Sequence, residues 1–225
     1  MEQSRSILWF YVIWCMAALG YVLNVYFTWF IPEVNWVLKP LPVLLLLFWV
    51  WRSVPAEEPL KLWLMVALGL SSIGDIVLLI PGQFIVGLAA FLLAHLVYLK
   101  VFAHSASMAH IRWLVIIVII CAGLLGGYLI LPDLNGQMYF AVLAYMVTLG
   151  AMAIAATLCK RVHWIAIPGV LLFMFSDTVL GYSTLVSAID NSDVVVMVSY
   201  YLAQFCLAHA LIWYREPEED PFAVA

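Results

Sequence analysis

The chain of 225 residues is 67% hydrophobic and only 10% charged, with a net charge of −4 and a mean hydropathy of +1.11. A soluble globular domain carries about 45–50% apolar and about 25% charged residues, so this composition indicates that the solvent is a lipid bilayer. It excludes a secreted, nucleic-acid-binding or ordinary cytosolic protein. We expect an integral protein of a bacterial inner membrane.

Eight stretches of the chain approach the length of about 20 apolar residues that a membrane-spanning helix needs. Short segments rich in proline, glycine, asparagine and aspartate separate most of them. The predicted spans are 7–27, 34–51, 60–80, 83–102, 111–131, 137–158, 163–186 and 194–213. Because the backbone must satisfy its own hydrogen bonds in lipid, the pattern predicts an all-α integral membrane protein with eight transmembrane helices.

Lysine and arginine are distributed unevenly between the two ends of these spans. If the N-terminus is cytoplasmic, eight of the nine basic residues fall on the cytoplasmic side and only Lys39 falls on the other side. The positive-inside rule therefore predicts that the N- and C-termini are both cytoplasmic. We treat residues 1–215 as a single transmembrane domain, followed by a short acidic C-terminal tail at 216–225 that we expect to be solvated.

Two short sequence similarities lie four spans apart. Residues 75–78 of the third span resemble residues 177–180 of the seventh, and residues 93–95 of the fourth resemble 202–204 of the eighth. This spacing suggests a parallel 4+4 pseudo-repeat, a device that recurs in membrane protein folds.

Ionisable side chains inside the spans are the main functional signal, because they are costly in lipid and are seldom present without a role. At about 1.5 Å per residue, Asp75 lies about 7 Å, Asp177 about 4 Å and Tyr200 about 5 Å outward from the midpoints of their predicted spans. Among the other polar groups, Lys39 enters from the outer end of the second span, Gln204 lies near mid-depth and His95 lies slightly toward the cytoplasmic side. We predict that these groups share a layer slightly outside the bilayer centre.

Helical spacing places further polar groups beside them. The sets are Ser71 and Ser72 with Asp75, His95 with Tyr98, and Tyr200 and Tyr201 with Gln204, while Ser176 directly precedes Asp177 in the sequence. Structural alternatives remain open for some: Lys39 as an interfacial anchor, His95 as a packing residue and the tyrosines as interfacial residues. The alternative is weakest for the two aspartates, because a carboxylate at that depth must be partnered or protonated.

Other chemistries lack their signatures in this sequence. It contains no HExxH or GxSxG motif and no glycine-rich phosphate loop. The four cysteines fall within apolar runs without CxxC or zinc-finger spacing, so we assign them no redox or metal role. We predict neither a metal site nor a cofactor.

Five motifs in order resemble the YhhN-like family, which includes the integral-membrane lysoplasmalogenases. They are Lys39-Pro40-Leu41-Pro42, Ser72-x-x-Asp75, Phe91-x-x-Ala94-His95-x-x-Tyr98, Pro168-Gly169 through Phe175-Ser176-Asp177, and Tyr200-Tyr201-x-Ala203-Gln204. The resemblance extends from the second span to the eighth. One departure is His209, where a small or hydroxyl residue is expected, and no proposed catalytic group depends on it.

The resemblance implies hydrolysis of the vinyl-ether bond of a lysoplasmalogen, a lysophospholipid of the membrane. The products are a fatty aldehyde and glycerophosphocholine or glycerophosphoethanolamine. This reaction needs one protonated carboxylic acid and one anion facing an oxocarbenium-like centre, as in glycosidases. A carboxyl group in apolar surroundings, or beside a second carboxylate, keeps its proton to higher pH.

Asp75 and Asp177 are the expected acid and base, in an order that the sequence leaves open. His95 is expected to assist catalysis and, with Tyr200 and Gln204, to orient water and the ether oxygen, while Lys39 holds the lipid phosphate. The other expected substrate-binding residues are Ser72, Tyr98, Ser176 and Tyr201.

Two rival classes fit the same intramembrane charges. A proton-coupled transporter of lipids or small molecules would also place carboxylates inside a bundle of eight helices. A non-catalytic scaffold would use them only for stability. Chemical turnover in detergent distinguishes the enzyme from both.

Overall fold

In the computed structural model the described residues are 2–104, 106, 112–160 and 162–212. Nine α-helices are defined within these ranges. They are α1 (Glu2–Phe27), α2 (Asn35–Leu38), α3 (Leu41–Ser53), α4 (Pro59–Val77), α5 (Phe84–His104), α6 (Trp113–Ile130), α7 (Gly136–Leu158), α8 (Ala166–Leu185) and α9 (Ser192–Ile212). Short 3-10 turns, Pro32–Val34 and Leu131–Asp133, precede α2 and follow α6.

Eight helical segments of the described chain are long and apolar enough to cross a membrane, which confirms the predicted all-α architecture there. The second segment, Pro32–Ser53, combines a 3-10 turn with α2 and α3. The predicted ends of two spans, at residues 111 and 213, lie outside the described residues. The predicted acidic tail at 216–225 lies outside them too.

The second span differs from the continuous helix that the sequence predicted over 34–51. A two-residue turn at Lys39 and Pro40 separates α2 from α3. Pro40 and Pro42 have no backbone N–H, so neither can donate to the carbonyl four residues before it. The helix is therefore interrupted where the predicted lysine lies.

Side chains from α1 bond to the start of α3, to α2 and to the loop that precedes α2. The Trp14 indole donates to the carbonyl of Pro42 at 3.1 Å, and the Asn24 amide donates to the Asn35 side chain at 2.8 Å. The side-chain Oδ1 of Asn24 also accepts from the backbone N–H of Phe30 at 2.8 Å. These bonds hold the second span against α1. Lys39 and Pro40 keep right-handed helical φ and ψ angles, so the break interrupts the hydrogen bonding of the helix more than its path.

The last described helix, α9, lies at the centre of the bundle and packs against α8, α1, α3 and α4. Its most apolar window is 67% buried, whereas the window of α6 is 17% buried. The mean hydropathy of the α6 segment is also the highest of the eight, at 2.9. We infer that α6 faces lipid, and that polar residues on α9 face the interior.

Two glycines let their helices approach closely. A Cβ added to Gly74 of α4 would lie 2.6 Å from the Phe91 ring of α5. A Cβ added to Gly169 of α8 would lie 2.9 Å from the Cβ of Cys206 on α9. Close approach at small residues is the usual basis of helix packing in membranes, where no hydrophobic effect drives helices together.

Candidate active site

Asp75 lies in the last turn of α4, on the face of that helix that is turned away from lipid. Leu64, Leu68 and Ser71 precede it at helical spacing and are likewise buried. Only 1% of the Asp75 surface is exposed. The hydroxyl of Tyr200, on α9, donates to the Oδ2 of Asp75 at 2.9 Å. The carboxylate is therefore bonded across the bundle rather than within its own helix.

A chain of three hydrogen bonds ends at this carboxylate. The Tyr98 hydroxyl on α5 donates to the Oε1 of Gln204 at 3.0 Å. The Nε2 of Gln204 donates to the Tyr200 hydroxyl at 3.4 Å, and Tyr200 in turn donates to Asp75. All of these side chains are buried, and Gln204 is fully so. The donors point in one direction, toward Asp75, which suits an anion at the end of the chain.

Asp177 lies near the middle of α8 and has a different tyrosine partner. The hydroxyl of Tyr145, on α7, donates to its Oδ2 at 2.6 Å. Tyr145 is buried, whereas Asp177 is half-buried. Each aspartate thus accepts one short hydrogen bond from a tyrosine of another helix.

A cavity of about 200 Å³ lies between the two aspartates and brings half of the predicted site residues together. Among the predicted residues, its walls include Lys39, Asp75, Ser176, Asp177 and Tyr200. Its other polar or aromatic walls are Tyr21, Asp193 and Phe91. We call this space the polar cavity.

A second, smaller cavity of about 50 Å³ adjoins the polar cavity. Its walls come from α4 to α8 and are almost entirely apolar, with Gly123 and Gly181 among them. Four residues line both spaces: Leu78, Phe91, Asp177 and Leu180. Asp177 therefore lies at the junction of a polar and an apolar cavity. We call the second space the apolar cavity.

Lys39 reaches the polar cavity from the break between α2 and α3. The hydroxyl of Tyr201 donates to its carbonyl oxygen at 2.7 Å, which ties the break to α9. The Lys39 ammonium interacts electrostatically with Asp75 and with Asp193. The missing N–H groups of Pro40 and Pro42 thus cause the turn, and the hydrogen bond from Tyr201 holds the turn against α9.

Three of the predicted residues are engaged with backbone carbonyls. Ser72 donates to the carbonyl of Leu68 in its own helix at 3.0 Å. Ser176 donates to the carbonyl of Val196 on α9 at 3.0 Å while also lining the polar cavity. Tyr201, as described, donates to Lys39. These bonds fix helix positions.

His95 is fully buried and lines neither of the two cavities. Its ring packs edge-on against Phe173, with centroids 4.7 Å apart, and against Tyr145, with centroids 5.1 Å apart. Within the described part of the chain, neither ring nitrogen has a hydrogen-bond partner. The histidine therefore supports the tyrosine that bonds Asp177.

Sequence reasoning missed three residues that the structure brings to the site. Tyr145 lies about 4 Å from the midpoint of the predicted sixth span, at about 1.5 Å per residue, so its depth was an available signal. Asp193 falls in a segment whose sequence is typical of a turn, and Tyr21 is one of three tyrosines in a predicted span without Asp, Glu, His, Lys or Arg. Asp193 and Tyr21 are recognised as site residues only from their positions in the helical bundle.

The arrangement brings three carboxylates, one lysine and two tyrosines to a single cavity. Such a set can donate and accept protons beside a bound molecule. Among the described residues, no group of three or more histidine, cysteine, aspartate or glutamate side chains could hold a metal ion. The fold and the site define a class: an integral-membrane helical bundle with buried carboxylates facing an internal cavity.

Comparison with known proteins identifies the family within this class. The model of the YhhN family matches residues 34–211, so the chain belongs to the YhhN family. No solved structure matches the chain.

Named relatives cover most of the chain. Human "Lysoplasmalogenase TMEM86B" is 33% identical over 204 residues, which are 87% of this chain and 85% of the relative. Bovine "Lysoplasmalogenase TMEM86A" is 28% identical over 87% of this chain and 88% of the relative. A "Lysoplasmalogenase" of Mycobacterium bovis is 30% identical over 72% of this chain and 64% of the relative.

Proposed function

We propose that this protein is a lysoplasmalogenase, which hydrolyses the vinyl-ether bond of a lysoplasmenyl phospholipid. The observation that supports this most directly is that Asp75 and Asp177 line one polar cavity, in a chain whose named relatives are lysoplasmalogenases. The products are a fatty aldehyde and a glycerophosphocholine or glycerophosphoethanolamine.

The two adjoining cavities suggest how the substrate lies. The lysine at the helix break holds the phosphate in the polar cavity, because Lys39 is its only basic wall among the described residues. The alkenyl chain extends into the apolar cavity. The vinyl ether joins these two parts of the lipid, so it lies at the junction where Asp177 is found.

The proposed reaction balances because the two carboxyl groups together donate two protons to the substrate and accept two protons in return. One carboxylic acid protonates the alkenyl carbon that is β to the ether oxygen, which leaves an oxocarbenium ion. A water molecule adds to the carbon bonded to oxygen while a carboxylate takes its proton, and a hemiacetal forms. That second carboxyl group then protonates the glycerol oxygen, and the first carboxylate accepts the hemiacetal proton. The bond between the alkenyl carbon and the ether oxygen breaks, and both carboxyl groups return to their first states.

We assign Asp177 as the acid and Asp75 as the base. Asp75 accepts the last bond of the three-bond chain and shares the polar cavity with Lys39, and this arrangement of donors and positive charge suits an anion. Asp177 lies beside the apolar cavity, where the alkenyl carbon is placed. Because Tyr145 occupies its Oδ2, the other carboxyl oxygen is the one that bears the proton to be donated.

The remaining predicted residues act by positioning. Gln204 and Tyr98 hold Tyr200 against Asp75. Ser176 and Tyr201 fix α8 and the break at Lys39 against α9. Ser72 and His95 act through packing, since Ser72 is bonded within its own helix and His95 touches Tyr145.

Aldehyde release by the purified protein in detergent, with a chelator present, tests the proposal. The substrates are lysoplasmenylcholine and lysoplasmenylethanolamine, and the variants are Asp75→Asn and Asp177→Asn at equal folded yield. General acid–base groups contribute about 10²–10⁴-fold, so each variant is expected to lose activity by that order. Asp190→Asn, at an exposed residue that does not line the polar cavity, is the matched control.

Failure of the folded wild-type protein to release aldehyde would contradict the proposal. Proton flux driven by the same lipids in vesicles would then favour a proton-coupled transporter.

We further propose that both termini face the cytoplasm in a bacterial inner membrane, and that α1–α5 and α6–α9 are related by a pseudo-repeat. The mycobacterial relative supports a bacterial setting. The α4–α5 and α8–α9 pairs, which the repeat would relate, are the two most extensive helix contacts. Labelling of single cysteines introduced at residues 190 and 57 from either side of sealed vesicles tests the sidedness.

A further inference from the structure

Asp193 lies at the mouth of the polar cavity and belongs to none of the steps above. It is an exposed residue in the first turn of α9, and its position lines the cavity. Lys39 lines the same cavity, so the space has one cationic and one further anionic wall besides the two catalytic aspartates. Asp193 interacts electrostatically with both Lys39 and Tyr21.

The turn before α9 fixes the backbone that presents Asp193. The hydroxyls of Ser183 and Ser192 lie 2.8 Å apart, which joins the ends of α8 and α9. Asn191 has a positive φ of 56°, and its carbonyl accepts from the backbone N–H groups of Val194 and Val195. The carboxylate therefore belongs to a defined turn.

Lys39 and Asp193 do not form a salt bridge with each other. Within the described residues, no nitrogen–oxygen distance of 4 Å or less joins Lys39 to Asp193 or to Asp75. Both groups thus keep capacity for a bound molecule. A choline or ethanolamine lysophospholipid has a phosphate and an ammonium group at one end, the complement of a lysine and an aspartate.

We propose that Asp193 binds the ammonium group of the lipid head while Lys39 binds its phosphate, which makes the site selective for zwitterionic lysophospholipids. The inference rests on the proposed function. Tyr21, a buried aromatic wall of the same cavity, adds a surface that attracts a quaternary ammonium. Asp193 is then a specificity residue and takes no part in proton transfer.

The test compares three substrates in mixed micelles with the purified full-length protein. Two have an amine, alkenylglycerophosphocholine and alkenylglycerophosphoethanolamine, and the third, alkenylglycerophosphate, has none. Asp193→Asn is expected to raise KM about tenfold for the two amine-bearing lipids and to leave kcat unchanged, as loss of one charged contact implies. KM for alkenylglycerophosphate is expected to stay the same or fall.

Asp190→Asn is the matched control, because Asp190 is exposed in the same turn and does not line the cavity. Asp193→Glu is expected to restore most of the amine preference, and Asp193→Lys to reverse it in favour of alkenylglycerophosphate. A change in KM that is equal for all three lipids, or no change for any, would overturn the role of Asp193.

Binding of a saturated alkylglycerophosphocholine, which lacks the vinyl ether, separates this inference from the catalytic proposal. Its affinity, measured by tryptophan fluorescence, is expected to fall about tenfold in Asp193→Asn by the same contact loss. If that fall occurs without aldehyde release from any vinyl-ether lipid, the hydrolase proposal fails and the head-group role stands. If aldehyde is released but affinity is unchanged, the head-group role fails alone.

Discussion

The hydroxyl of Tyr200 donates to the carboxylate of Asp75 at 2.9 Å, across 125 residues of sequence and between the central helix and α4. Asp177 has its own tyrosine, Tyr145, at 2.6 Å. The two aspartates therefore line one cavity with separate hydrogen-bond partners and with different surroundings. This asymmetry is the basis on which we assign them different roles, and it is testable one tyrosine at a time.

Tyr200→Phe is expected to lower kcat about 10- to 100-fold with little change in KM. The lost bond to a charged group is worth about 1.5–3 kcal/mol, and each 1.4 kcal/mol is a factor of about ten in rate. Tyr128→Phe, at a lipid-facing residue that is 77% exposed, is the matched control. Steady-state kinetics of aldehyde release measures both, and an unchanged kcat in Tyr200→Phe would contradict the role of this bond.

Tyr98→Phe is expected to destabilise the bundle by about 1–3 kcal/mol, because it leaves the fully buried Oε1 of Gln204 without its donor. Thermal unfolding in detergent measures the effect. The double variant Tyr98→Phe with Gln204→Leu is expected to cost less than the sum of the two single variants, since it removes both polar partners. Strict additivity would show that the Tyr98–Gln204 bond is not an energetic unit.

Gly123→Val is expected to reduce hydrolysis of hexadecenyl lysolipids about tenfold or more while affecting octenyl lysolipids less. The nearest atom to an added Cβ is the Met174 methyl carbon at 4.0 Å, so the new side chain enters the apolar cavity. Excess side-chain volume in an apolar pocket is worth about 1–3 kcal/mol per methylene. Gly150→Val is the control, because an added Cβ there meets nothing within 4 Å. Equal losses for both chain lengths would remove the alkenyl chain from this cavity.

Gly74→Ala is expected to lower the melting temperature and activity together. Its Cβ would lie 2.6 Å from the Phe91 ring, and overpacking of this kind costs about 1–3 kcal/mol. Phe91 also lines both cavities, so its displacement alters the site. Gly150→Ala, in open surroundings, is expected to be neutral or stabilising, because alanine is the better helix former. A melting temperature that Gly74→Ala leaves unchanged would show that the α4–α5 contact is looser than described.

Several features were predictable because they depend on composition and helical period alone. The 67% hydrophobic content requires lipid as the solvent, and the lengths of the apolar runs set the number of spans. The cost of a carboxylate in lipid singled out Asp75 and Asp177 before any contact was known. The order of the motifs identified the family.

Other features depend on contacts between helices, which helical period cannot specify. Spacing along one helix shows that Tyr200 and Gln204 share a face, but it does not show which residues of other helices they meet. The tyrosine that serves Asp177 lies 32 residues away on α7, and sequence reasoning did not select it. The catalytic role of His95 stays a prediction. Its ring packs against aromatic side chains and lines neither cavity, which is why we propose a packing role instead.

The sequence by itself determined that this is an integral membrane protein and how many of its helices are long enough to span the bilayer. It also determined which charged side chains need a partner or a function there. Each of these follows from the free energy of transferring local segments from water to lipid. Only the tertiary structure decided that the proline break brings Lys39 to the same cavity as Asp193, and that Asp177 lies between a polar and an apolar space. The physical reason is that a cavity is a property of several helices packed together. Its walls are formed by side chains that are far apart in the sequence and meet only when the helices pack, so no single stretch of sequence specifies them.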